Sequence, residues 1–106
     1  MIKSLRSKKR KPTHPGAILR EDVLPELKMT QGDFAEALGV SRRTVSEILN
    51  EHRPITTDMA KRLECFLGTP ADTWLNLQRT LDLWLLEQDK VKMKEYKHIH
   101  RFAMAA

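Results

Sequence analysis

The sequence predicts an all-α domain, and three observations support that reading. Apolar residues recur three and four apart through most of the chain, Thr, Ser and Pro stand ahead of those runs as helix starts do, and no β-branched run alternates as a strand would. A hydrophobic fraction of 41% over 106 residues suffices for one modest core and not for two. The expected organisation is a flexible basic arm over 1–13, a folded domain over 14–88, and an extension over 89–106 in which helix and strand patterns compete.

The elements of the folded part follow in order. In "HPGAILREDVL", Pro15 suits a first helical position, where its missing N–H costs nothing. Ile18, Leu19 and Val23 keep helical spacing; Pro25 is expected to end the helix, with Leu27 and Met29 packing back on the core. "TQGDFAEAL" is the second helix, capped by Thr30 with Asp33 at the capping-box position, its stripe formed by Phe34, Ala35 and Leu38. Gly39 then offers a left-handed turn. "SRRTVSEILN" is the third helix, with Ser41 as N-cap. Thr57 or Thr56 starts the fourth, with Met59, Ala60, Leu63, Phe66 and Leu67 inward and Gly68 closing it. "TPAD" reads as Thr69 cap, Pro70 at N1 and Asp72 at N3 of a fifth helix running to about Gln88.

The fifth helix is apolar on more than one flank. Trp74, Leu77, Leu81, Trp84 and Leu85 make one stripe; Leu75, Leu83 and Leu86 make a second. A terminal helix in so small a domain has little core for both, so Leu75, Leu83 and Leu86 are expected at a homodimer interface. Beyond it, Val91 and Met93 alternate as in a strand, while Tyr96, Ile99 and Phe102 step by three as in a helix.

The third helix poses the functional question. At 100° per residue, Val45, Ile48 and Leu49 share one side, and Arg42, Arg43, Ser46, Glu47 and Asn50 the nearly opposite one. Two arginines in a first turn oppose the helix macrodipole, at about 0.3–1 kcal/mol each. The spacing from Gln31 to Asn50 is that of a helix-turn-helix: small Ala35 where helices cross, Gly39 at the turn, inward Val45 and Ile48. In that motif the first turn of the second helix enters the DNA major groove, where guanine edges and phosphates compensate the arginines. The expected DNA-contacting set is Gln31, Ser41, Arg42, Arg43, Thr44, Ser46, Glu47, Asn50 and Arg53. Arg42 and Arg43 face guanine or phosphate. Glu47 accepts from a cytosine amine or orients an arginine. Gln31 anchors a phosphate at a helix N-terminus, and Asn50 and Arg53 touch the strand farther along.

Charge agrees with a polyanionic partner. The formal net charge is +5. Residues 1–15 hold six basic and no acidic side chains, and 89–106 five basic against two acidic. Nucleic acid is the first partner such arms suit and an anionic membrane surface the second; solvated tails are the plainer reading. Other classes lose support. The single cysteine, Cys65, forms no intramolecular disulfide, fits a reducing cytosol, and reads as a small packing residue. No apolar run approaches the roughly 18 residues of a membrane span, and no secretory signal is expected. His98 and His100 lack nearby ligands for a metal site, no Ser/His/Asp or Cys/His grouping has catalytic spacing, and no glycine loop cradles a phosphate. Neither enzyme activity nor a cofactor is expected, and Trp74 and Trp84 read as core or interface anchors.

Taken together, "HPG" (14–16), "LGVSRRTVSEILN" (38–50), "ITTDMAKRL" (55–63), "LGTPADTWLNLQ" (67–78) and "DLW" (82–84) resemble the HigA antitoxin family of toxin–antitoxin systems, over about residues 14–88. The central piece is generic to the lambda-repressor-like class; "HPG" together with "WLNLQ" is far more specific. The resemblance implies a five-helix, lambda-repressor-like fold and a cytoplasmic dimer that represses its own operon at an inverted-repeat operator in double-stranded DNA. It also implies a HigB-like toxin partner, an mRNA interferase blocked by direct binding. The matching motif positions for DNA are Gln31, Arg42, Arg43, Thr44 and Glu47. Glu51 departs from the pattern, since many relatives carry Gly at the turn leaving the recognition helix. Two other readings stand beside this one: a toxin-masking module with little DNA binding, and a regulator with this scaffold but no toxin.

Overall fold

The computed structural model describes residues 10–103, and there the chain is all-helical, as expected. Residues 1–9 of the basic arm and the last three positions lie outside the described residues. Six helices follow one another among the described residues: α1 (residues 15–27), α2 (Gln31–Leu38), α3 (Arg42–Leu49), α4 (Thr57–Leu67), α5 (Ala71–Glu87) and α6 (Lys90–Tyr96). None of them is long and apolar enough to cross a membrane.

The α1 helix opens on a cap that the "HPG" triplet builds. His14 is buried, and its Nδ1 accepts the Gly16 N–H at 2.8 Å. Burial pushes the imidazole pKa below its usual value, which keeps the ring neutral and Nδ1 free of a proton. Pro15 follows in the first turn. Gly16 lies against α3 so closely that a Cβ there would stand 1.9 Å from the Ile48 carbonyl oxygen.

Pro25 does not end α1, contrary to expectation. A π-helical turn, Leu19–Val23, stands just ahead of it, closed by the Leu24 N–H donating to the Leu19 carbonyl. The wider turn displaces the carbonyl row against which a mid-helix proline ring would clash, and Pro25 falls in the first turn of the segment Leu24–Leu27, where its missing N–H does no harm. The helix ends instead at Lys28, in left-handed conformation at φ 55°. Met29 packs back on the core as expected, but Leu27 is exposed.

Caps set the remaining boundaries. Thr30, Ser41 and Thr56 each accept a backbone N–H three residues on, from Asp33, Thr44 and Met59. Thr56, not Thr57, therefore begins α4. At α5 the cap position belongs to Pro70, whose extended ψ of 142° keeps it outside the helix, so Thr69 is not the cap. Gly39 and Gly68 end α2 and α4 at φ 73° and 86°. Asp89 accepts the Lys92 N–H at 3.0 Å and starts α6, which settles the competing patterns of 89–103: helix to Tyr96, none beyond. Ile99 and Phe102 thus share no helical face and are exposed.

The core joins every helix except α6: Leu19 and Leu24 from α1, Phe34, Ala35 and Leu38 from α2, Val45, Ile48 and Leu49 from α3, Met59, Ala60 and Leu63 from α4, and Trp74 from α5, closed by Ile55 of the α3–α4 loop. Phe66 is half exposed, meeting Phe34 edge-on at 6.0 Å. Cys65 is exposed, not packed inside. On α5 the inward stripe is Trp74, Gln78 and Leu81, with Leu85 exposed. A buried glutamine in that stripe was not expected. Its Oε1 accepts the Ile55 N–H at 2.8 Å and its Nε2 donates to Asp82 at 2.9 Å, so the amide satisfies a loop donor that would otherwise be buried unpaired.

Candidate nucleic-acid interface

The bend between α2 and α3 is built from backbone bonds and one arginine. The Gly39 N–H donates to Glu36 and the Val40 N–H to Ala35, closing α2 in two reversed bonds that only a left-handed residue permits. Arg62 of α4 then donates from Nη1 to the Leu38 carbonyl at 2.9 Å and the Gly39 carbonyl at 3.4 Å, while its Nε pairs with Asp58 at 2.8 Å. Arg62 thus satisfies carbonyls that the end of α2 leaves open, and it fixes α4 to the turn.

A second arginine holds the far end of α3. Arg20 donates from Nη1 to the Leu49 carbonyl at 2.6 Å and to Glu51 Oε2 at 3.2 Å, and from Nη2 to Glu21 at 2.7 Å. Glu51 adopts φ 64°, the left-handed backbone for which glycine is the ordinary choice. The chain therefore leaves α3 by the glycine path without the glycine. The strain is offset by the Glu51 N–H to Ile48, the His52 N–H to Glu47, and the ion pair to Arg20. Arg20 and Arg62 belong to no sequence-level expectation. Each also pairs with a carboxylate one or four residues away in sequence, Glu21 and Asp58, and nothing local marks its longer reach.

Between these clamps α3 presents its polar side outward. Val45, Ile48 and Leu49 are buried; Arg42, Arg43 and Asn50 are exposed; Thr44, Ser46 and Glu47 are half buried. Ser41 is occupied at the cap, taking the Thr44 N–H at 3.0 Å and sharing a hydrogen bond with the Thr44 hydroxyl at 2.9 Å. Asn50 lies over Ser46 at 3.4 Å. Glu47 draws in Arg43, one turn earlier, and Arg53 from the loop. Gln31 is the first residue of α2, half buried. The expected set thus splits: Arg42, Arg43, Thr44, Ser46, Glu47 and Asn50 share the outer side of α3, Arg53 joins them through Glu47, Ser41 serves the helix start, and Gln31 stands on the neighbouring helix. Arg42 has no carboxylate partner among the described residues. No group of three His, Cys, Asp or Glu gathers as metal ligands there either.

A solvent-facing, arginine-bearing helix held at both ends behind a sharp bend is the shape a duplex groove accepts. Comparison with known proteins agrees. The HTH_3 family model, described as helix-turn-helix, matches residues 19–74. A protein of Escherichia coli strain K12 called an uncharacterized HTH-type transcriptional regulator, YbaQ, is 42% identical over 94 residues, 89% of this chain and 83% of its own length. Antitoxin HigA-1 of Vibrio cholerae is 38% identical over 80 residues, 76% of this chain and 75% of its own. The structure of Pseudomonas aeruginosa antitoxin HigA with the higBA promoter superposes with a TM-score of 0.77 at 38% identity, covering 87% of this chain and 99% of that one.

Proposed function

This chain belongs to the HTH_3 helix-turn-helix family, with HigA antitoxins among its relatives, and from that premise we propose that it is a homodimeric antitoxin and autorepressor. It binds an inverted-repeat operator in its own promoter with α3 in the major groove, acts in the cytoplasm, and neutralises a HigB-like mRNA interferase by direct contact. One observation carries the DNA half: Arg42 and Arg43 point outward from a helix fixed at both ends, in a fold shared with an antitoxin whose structure is with its promoter. The toxin half rests on the name that relatives bear. The dimer rests on Leu83 and Leu86, which α5 leaves 53% and 37% exposed; Leu75, by contrast, is partly enclosed by the chain's own core. In such a dimer the two α3 helices stand about 34 Å apart, one helical turn of DNA.

Binding to a consensus duplex, selected by the protein from a randomised pool, tests this. Affinity should fall linearly in log–log form with salt, since phosphate contacts release counterions. Arg43→Ala should lower discrimination at one base pair by about 1–3 kcal/mol. Equal weakening on consensus and random duplexes would reduce Arg43 to a phosphate contact, and failure to select any consensus would remove the operator. The relative known only as a transcriptional regulator favours a second reading, repression without a toxin. Coexpression with the adjacent gene separates the two, because only an antitoxin rescues growth from a neighbouring toxin.

A further inference from the structure

Arg43 and Arg53 reach one carboxylate from two elements, and they do so through different edges. Glu47 Oε2 accepts from Arg43 Nε at 3.0 Å. Glu47 Oε1 accepts from Arg53 Nε at 2.9 Å and from its Nη2 at 2.6 Å. Arg43 is therefore held by Nε alone, and its two terminal amino groups have no partner among the described residues. Arg53 has one whole side of its fork committed. The three side chains are graded in exposure, Glu47 29%, Arg53 44% and Arg43 85%, so the carboxylate lies beneath and the Arg43 tip stands outermost. Hydrogen bonds from Arg53 and then Arg43 hold the Glu47 carboxyl below the usual carboxylate range, so it is charged at neutral pH.

This placement limits what each arginine is able to do. An unrestrained arginine loses rotamer freedom when it docks on a base. With Nε tied to Glu47, much of that ordering precedes binding, and the free amino pair matches the O6 and N7 acceptors of guanine. The negative charge of Glu47 also opposes phosphates, which weakens non-specific binding; specificity grows from both effects. Resting on the operator reading above, we infer that Glu47 is a positioning residue that sets base specificity, aiming the terminal amino groups of Arg43 at a guanine, with Arg53 locking Glu47 from behind instead of contacting a phosphate. Arg42, which has no such carboxylate, takes the phosphate role.

The test uses the full chain, the consensus duplex it selects, single-base-pair variants of that duplex, and a random-sequence duplex, across a salt series. Glu47→Gln keeps the shape and removes the charge. It should raise affinity for the random duplex several-fold and cut discrimination at the guanine about tenfold, within the range of a bidentate arginine contact. Adding Glu47→Gln to Arg43→Ala should cost no further discrimination. Arg53→Lys keeps the charge but not the fork, and should lose discrimination at the same base pair with an unchanged salt slope. If both variants keep discrimination while Arg43→Ala loses it, the operator reading stands and this inference falls. If the double variant loses selectivity at a second base pair, Glu47 reads a base itself and the inference also falls. If a consensus is selected but Arg43→Ala is silent on it, this inference alone falls; if the protein selects no consensus, both fall together.

Discussion

Replacing Gly16 with alanine should lower the free energy of unfolding by about 3 kcal/mol or more, at the upper end of overpacking effects. The reason is a backbone-on-backbone approach. A Cβ at this position would stand 1.9 Å from the Ile48 carbonyl oxygen, 2.8 Å from its carbon, and 3.1 Å from His14 Nδ1. The first two atoms belong to the α3 main chain and have no rotamer to escape into. The third is the ring that caps α1. Relief requires α1 to lift from α3, which would also loosen the Arg20 bond to the Leu49 carbonyl. Gly32→Ala is the matched control. Its Cβ would meet nothing nearer than Thr30 Oγ1 at 3.9 Å, inside a helix. That change should be neutral or stabilising by up to about 1 kcal/mol. Urea unfolding of both variants, at equal m-value, measures the contrast. Similar midpoints for the two would show that α1 does not bear on α3 as described.

The second large effect concerns assembly. Leu83→Glu with Leu86→Glu should convert the protein to a monomer at micromolar concentration and weaken operator binding by about 100-fold, since two half-sites bound together gain that much or more over one. Neither side chain belongs to the buried core, so helical content should be unchanged. Leu75 is left intact because it packs partly on its own core, and a charge there would confound folding with association. Sedimentation velocity and a binding titration read both parts. A variant that remains dimeric, or a wild-type chain that is monomeric, would place the dimer elsewhere or remove it.

Much of this was legible in the residues. Capping residues and 3.6-residue periodicity located α2, α3 and α4 within a residue, because Thr30, Ser41 and Gly39 leave the backbone few alternatives. The polar face of α3 followed from angle alone. What escaped was whatever depends on partners far apart in sequence. Pro25 looked like a stop because a π turn upstream has no compositional mark. Gln78 carries no local mark of burial; it turns inward because a loop N–H needs an acceptor there. Arg20 and Arg62 act on carbonyls 29 and 24 residues away, and no local pattern announces a backbone acceptor. Glu51 shows the opposite limit: the glycine of the family pattern is absent at that position, yet the left-handed turn persists because the surrounding bonds define it. Within the site, the sequence placed Arg43, Glu47 and Arg53 in one DNA-contacting set but held no information on which edge of each guanidinium is occupied.

The central claim is that α3 reads guanine in the major groove. Methylation interference on the selected duplex tests it directly. Methyl groups at guanine N7 within the half-sites should weaken binding about tenfold or more, as loss of a bidentate arginine contact would, while methyl groups at adenine N3, in the minor groove, should have little effect. Strong interference from adenine N3 with none from guanine N7 would contradict it.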